Sequence, residues 1–257
     1  MKKRLMQNRI FFWLGTAHLC AFLALLIYYP FNDTIVLGLN STVKPMKFAL
    51  SIWIYSWTMG LILSYVEDIR KVTVYSWVAA VAMCFEQTAI TSQALNGELS
   101  HFNWANVYGI IVFALMGVFI LTATLWTAYI TYIFIKQKRY QLPPYVSYAI
   151  KVGLIYFVAF SLFGGYISSL TGHTVGAADG GAGLLFLNWS TVFGDMRVAH
   201  FFGMHSLQIV PLFALSTTKL FDDATSLRVV RVFALVYLTF VLFVMAQGLM
   251  GLPFIAL

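Results

Sequence analysis

The chain has 257 residues, of which 61% are hydrophobic and only 10% are charged, with a formal net charge of +7. Soluble domains carry about 25% charged residues, so this balance excludes a water-soluble globular protein and places the chain in lipid. The basic residues are scattered through short polar segments rather than gathered in a stripe, which argues against nucleic acid as a partner and for membrane topology.

The start, MKKRLMQNR, precedes an apolar run from Ile10 to Tyr29 and has the layout of a signal peptide. That run is about twenty residues long, enough to span a bilayer, and no Ala-x-Ala site follows it. Cys20 is preceded by His18 and Leu19 rather than by the small residues of a lipoprotein cleavage site. The reading is an uncleaved first helix. Both cysteines, Cys20 and Cys84, fall in apolar stretches without metal or redox spacing and read as small apolar side chains.

Seven stretches have spanning length: roughly 10–30, 47–66, 72–95, 107–135, 148–170, 198–218 and 229–250. Backbone polar groups in hydrocarbon must pair within their own segment, so such runs are helices. The connections are too short to hold a further domain. The expectation is an all-α polytopic membrane bundle of seven transmembrane helices, with residues 1–257 forming one domain.

Orientation follows from Lys and Arg in the connections. With a cytoplasmic N-terminus, that side carries Lys2, Lys3, Arg4, Arg9, Arg70, Lys71, Lys136, Lys138, Arg139, Lys151, Lys219, Arg228 and Arg231. The other side carries only Lys44, Lys47 and Arg197. The C-terminus is then periplasmic. The charged turns EDIRK, KQKRYQLPP and KLFDDATSLRVVR lie inside, whereas NGELSHFNWAN and the Gly-rich segment from Thr171 to Arg197 lie outside. Long polar loops of this kind are usually functional or flexible. Of the five histidines, His101, His173 and His200 fall at this outer face, with His205 just inward.

Within the third span, Ala79, Ala82, Glu86, Ala89 and Gln93 recur at three- and four-residue spacing and make one small, polar seam of a helix. The seam must face protein rather than lipid. A mid-membrane carboxylate such as Glu86 costs several kcal/mol without a partner and is a functional hypothesis by default. The bland alternative is a protonated glutamate acting as interhelical glue. In the fifth span, Ser161, Gly165 and Ser169 have the spacing that lets two membrane helices approach closely, and Gly248 and Gly251 suggest the same in the seventh.

The sixth span opens with GDMRVAHFFGMHSLQ, residues 194–208, the densest ionisable stretch of the chain. His200 and His205 are separated by about 140° of azimuth, against about 40° for an HExxH pair, so they cannot share one ion from a regular helix. By rise per residue, Glu86 and His205 both lie about 20 Å above the inner boundary of a ~30 Å core. They could meet there, with Gln93 and Gln208 along the same track and His18 lower. Asp195, His101, His173, His200 and His205 together offer the nitrogen and oxygen ligands that suit a transition metal. Haem is the other option, with histidines as axial ligands. Arg197 reads first as the ion-pair partner of Asp195, and then as an anchor for an anionic headgroup or haem propionate. DGGAG lacks the strand and spacing of a phosphate-binding turn, and no GxSxG, HExxH or Ser-x-x-Lys occurs.

SHFN at 100–103, GHTVGAADGGAG at 172–183 and GDMRVAHFFGMHSLQ at 194–208 resemble a family of uncharacterised bacterial polytopic membrane proteins. VKPMKFALS at 43–51 is similar to that family's start of its second helix. The resemblance spans most of the chain and implies a multi-pass protein of the bacterial inner membrane. It supplies no activity. The HxxxxH spacing also departs from the HxxxH pair of seven-helix membrane hydrolases.

Three functional readings follow. The first is a haem- or transition-metal-binding membrane protein, an oxidoreductase among the options, with a site open to the periplasm. In it Glu86 and His205 are the candidate catalytic pair, Arg197, Gln208 and Gln93 hold the cofactor, and His101, His173, His200, His205 and Asp195 ligate metal. Its partners would be the bilayer and a small molecule or redox protein. The second is a proton-coupled transporter using Glu86 and His205. The third is a metal-dependent membrane hydrolase.

Overall fold

Every expected span is helical in the computed structural model, which describes residues 2–170, 172–218 and 220–257. Met1, Thr171 and Lys219 lie outside the described residues, as do the side chains of Lys2 and Lys3. Lys219 was counted above among the inside charges, and Thr171 opens the outer segment. After a short helical turn at Lys2–Leu5, the helices are α1 (Arg9–Tyr28), α2 (Val43–Leu63), α3 (Ile69–Leu95), α4 (Val107–Lys136), α5 (Pro144–Ser168), α6 (Met196–Thr217) and α7 (Asp223–Leu249). Their starts follow from capping chemistry. Asn8, Asp68, Asp195 and Asp222 each turn a side-chain oxygen onto a backbone N–H of the first turn of α1, α3, α6 and α7. Pro144 opens α5, where its missing N–H is no loss.

Six of these helices are long and apolar enough to cross a membrane, and the chain is an all-α, multi-pass membrane protein. The helix outside that count is α3. It has 27 residues, but Ser76, Glu86, Gln87, Thr91, Ser92 and Gln93 break its apolar run. Among the described residues, six of the seven expected spans meet both length and apolarity, and α3 meets length alone.

Two features of the connections escaped the helical pattern. Ile35–Val36 pairs antiparallel with Leu39–Asn40 as β1 and β2, joined through Leu37 and Gly38, both at positive φ, as a tight hairpin turn requires. Thr174–Val175 (β3) pairs with Gly194–Asp195 (β4), with Thr174 opposite Asp195. The long Gly-rich segment is thus zipped at its two ends, directly before α6.

The chain packs as two units, Met1–Trp126 with Leu185–Leu187, and Thr127–Leu184 with Asn188–Leu257. In the first, α1 and α3 are joined at the α1 cap, where Asn8 Nδ2 donates to Ser76 Oγ at 2.8 Å. Phe11 packs on Tyr55 and Tyr75, whose hydroxyls are 2.6 Å apart. The α3 seam is buried along its whole length, from Ala79 and Gln93 at 0% exposure to Ala89 at 7%.

In the second unit, α5 and α6 approach through glycines other than the one the spacing suggested. A Cβ at Gly165 would meet nothing within 4 Å, so Ser161, Gly165 and Ser169 do not form a continuous close seam. Gly153 lies against the Ser206 carbonyl, Gly164 lies under the His200 ring and Gly203 under Phe160. Moving one residue along a helix rotates by about 100°, which is why Gly164 rather than its neighbour faces α6. Gly248 does serve close packing, against Gly194 and Asp195. Tyr237 Oη donates to the Phe202 carbonyl at 2.6 Å, and Phe213 stacks on Phe233 at 3.8 Å. Pro211 stands inside α6, where it cannot donate to the carbonyl one turn back.

Candidate functional site

The polar chemistry gathers at two places, one in each unit. In the first unit it centres on Glu86, which is 4% exposed. Among the described residues its Oε1 has no hydrogen-bond partner, and the charge that reaches it is the Lys44 ammonium at the start of α2. Beside it, Gln87 Nε2 donates to the Pro45 carbonyl at 3.2 Å and to Thr91 Oγ1 at 3.0 Å. From α1, the His18 ring bonds the Leu14 carbonyl at 2.8 Å and reaches the backbone at Met83, one turn from Glu86.

At the loop end of the same seam, Gln93 Oε1 accepts from Asn103 Nδ2 at 2.8 Å. The same Nδ2 donates to Glu98 Oε2 at 3.0 Å, and Asn106 Nδ2 donates to Glu98 Oε1 at 3.2 Å. His101 lies between the rings of Phe48 and Phe113, with centroids at 5.9 and 5.8 Å. Lys44 Nζ approaches its Nδ1 at 3.4 Å. An ammonium only donates, so Nδ1 accepts and the imidazole is neutral there. VKPMK and SHFN, far apart in sequence, thus meet through Lys44 and His101.

In the second unit, the paired strands bring the Gly-rich segment onto the start of α6. Asp195, 2% exposed, receives Arg197 Nε at 2.9 Å and Nη2 at 2.6 Å. It also accepts from the backbone N–H groups of Ser190 and Arg197, each at 3.0 Å. Burial by itself would raise this carboxyl, but the Arg197 hydrogen bonds and charge, with His173 and the Ser190 N–H, hold it below the usual carboxylate range. Arg197 Nη2 also donates to the Asn188 carbonyl. His173 Nδ1 pairs with Asp179 Oδ1 at 3.0 Å, and the backbone N–H of Thr174 donates to that oxygen at 2.9 Å. His173, Arg197, Asn188 and Ser190 line a small pocket of about 60 Å³, room for a few water molecules or a small ion.

Comparison with family models, curated proteins and solved structures found no match to this chain. The reading therefore rests on the residues themselves.

Of the expected metal ligands, His101 belongs to the first unit, and His173, Asp195, His200 and His205 belong to the second. Among the described residues, no three His, Cys, Asp or Glu side chains group as a metal site. Asp195 has its oxygens committed to Arg197 and backbone N–H groups. His200 Nδ1 donates to the Phe160 carbonyl at 2.8 Å. His205 Nδ1 lies 3.3 Å from Gln208 Oε1 with Phe201 against its ring at 4.3 Å. His200 Nδ1 therefore carries a proton, because a carbonyl only accepts. Gln93 joins the Glu86 seam, while Gln208 serves His205.

Sequence reasoning passed over Lys44, Glu98, Asn103 and Asp179. Lys44 was read only as a topology charge, yet a lysine at the mouth of an apolar helix, in VKPMK, was a signal. Asp179 follows His173 within the glycine segment, and local carboxylate–histidine pairing could have been suspected from that spacing.

Proposed function

We propose that this is a proton-coupled carrier of small polar solutes, with Glu86 as the protonated and deprotonated group. One observation carries the reading: a carboxyl buried on a small-residue helix seam, with one oxygen unpartnered among the described residues. A purely structural glutamate would have both oxygens satisfied, because an unmet buried polar atom costs about 1–3 kcal/mol. A residue that must gain and lose a proton leaves room for the exchange. The Lys44 ammonium supplies a counter-charge when Glu86 is ionised.

The finer topology belongs to the same proposal. All seven long helices cross the bacterial inner membrane, with the N-terminus cytoplasmic and the C-terminus periplasmic. The Lys and Arg distribution supports this orientation. Packing of its polar face against protein is what lets the less apolar α3 cross with the others.

The test is reconstitution of the whole chain into vesicles holding a pH-sensitive dye. Inorganic anions, carboxylates, amino acids, amines and sugars are added outside in turn. The carrier reading expects one class to evoke a pH change that Glu86→Gln abolishes. Silence across the panel in intact, folded protein contradicts it.

A second reading, a metal or haem centre, is supported by one specific feature. Metal-ligating histidines almost always donate their other ring N–H to a fixed acceptor, and His200 does so to the Phe160 carbonyl. Metal content and an absorption spectrum of protein purified without chelator test it. Stoichiometric metal or a haem band lost in His205→Ala would favour it over the carrier.

A further inference from the structure

The Asn103 bond fixes how the Gln93 amide is turned. Its oxygen is turned to the loop residue Asn103, which leaves its Nε2 on the other side of the amide. That Nε2 has no acceptor among the described residues, on a side chain that is 0% exposed. Seven residues earlier, Glu86 presents an Oε1 with no donor. Seven residues return to within about 20° of the same helix face and advance about 10 Å. An unmet donor and an unmet acceptor thus share one face, and the two side chains cover part of the gap. Buried water characteristically satisfies such groups, each molecule making about three hydrogen bonds.

We propose that a short file of water between Gln93 and Glu86 is the proton route to Glu86, opening at Glu98 in the 96–106 loop. Glu98 is half-buried at the loop end and shares its Asn103 donor with Gln93. The amides of Asn103 and Gln93 do not themselves pass the proton. They orient the water, with Gln93 Nε2 donating to the first molecule so that its own hydrogens point toward Glu86. On uptake, a proton from solvent enters the file at the loop end beside Glu98, each water takes one and hands one on, and an O–H bond forms at Glu86 Oε1 as the last water's O–H bond breaks. No electrons move. The other titratable groups facing Glu86 within its unit come from different sides. Lys44 on α2 opposes the ionised form, and His18 on α1 lies one turn away. His101, bonded to Lys44, sits at the loop.

This route rests on the reading of Glu86 as a protonatable group, and its test is separable from that of the carrier. Infrared spectroscopy of the reconstituted full-length protein identifies the Glu86 carboxylic acid as the band missing in Glu86→Gln. Its hydrogen–deuterium exchange is then timed after transfer to heavy water. Gln93→Leu and Glu98→Gln should each slow that exchange by about tenfold or more, with the thermal midpoint of Glu98→Gln unchanged. Because Glu98 is on the loop, that variant keeps the test valid if Gln93→Leu fails to fold. Exchange at the wild-type rate in Glu98→Gln overturns the route and leaves the carrier reading standing. Slowed exchange without any solute-evoked pH change supports the route and overturns the carrier. Absence of a Glu86 acid band at every pH overturns both.

Discussion

Glu86 and Asp195 are almost equally buried, at 4% and 2% exposure, yet the protein holds them in opposite ways. Asp195 meets a guanidinium with two nitrogens and two backbone N–H groups within five residues of sequence. Glu86 keeps an oxygen unpartnered and is reached by a lysine from another helix. The first arrangement favours the charged form and staples a loop to a helix cap. The second leaves a charge negotiable. Burial alone therefore does not separate the two carboxylates; the completeness of their hydrogen bonding does.

The largest expected effect falls on the staple. Asp195→Asn removes the counter-charge of Arg197 and should cost about 3 kcal/mol, the low end for a broken buried pair because Arg197 keeps some solvent contact. Its thermal midpoint in detergent would fall clearly, and protease access to residues 172–195 would rise. The pH dependence has a defined sign. The folded Asp195 carboxyl is held below its unfolded value of about 3.9, so its contribution is complete above that pH. It is lost as pH falls through the folded value. Acid titration of loop protection should show this loss in the wild type and not in Asp195→Asn.

Next comes the helix contact in the same unit. Gly153→Ala would set a Cβ 2.9 Å from the Ser206 carbonyl oxygen, and overpacking against backbone should cost about 1–3 kcal/mol. Unfolding midpoints read this directly. Glu86→Gln is expected to leave the midpoint unchanged or raise it, because a charge that is costly to bury is replaced by an amide. A drop as large as that of Asp195→Asn would erase the contrast between the two carboxylates. The smallest effect belongs to Gly165→Ala, which meets open space and gains helix propensity of up to about 1 kcal/mol. Gly164→Ala, one residue away, should instead push the His200 ring from the Phe160 carbonyl and destabilise.

Much of this was legible in the chain. The apolar runs gave all seven long helices with ends within six residues, because backbone pairing in lipid leaves no other solution. The buried face of α3 followed from Ala79, Ala82, Glu86, Ala89 and Gln93 at helical spacing. What spacing could not give was the partner across a helix contact. Gly165 and Gly164 are equally small, and only the packing of α6 decides that the second lies under His200. Lys44 and His101 meet through tertiary structure 57 residues apart, beyond any periodic signal. The hairpins at 35–40 and at 174–195 are built from Gly-mediated turns and pairings too short to leave a strand pattern.

The most direct measurement of the central claim is an infrared pH titration of the reconstituted protein, with Glu86→Gln and Asp195→Asn as references. A carboxylic acid band that is absent only in Glu86→Gln, and that appears and disappears reversibly while the protein stays folded, is the predicted result. A Glu86 that stays in one protonation state throughout that range would contradict it.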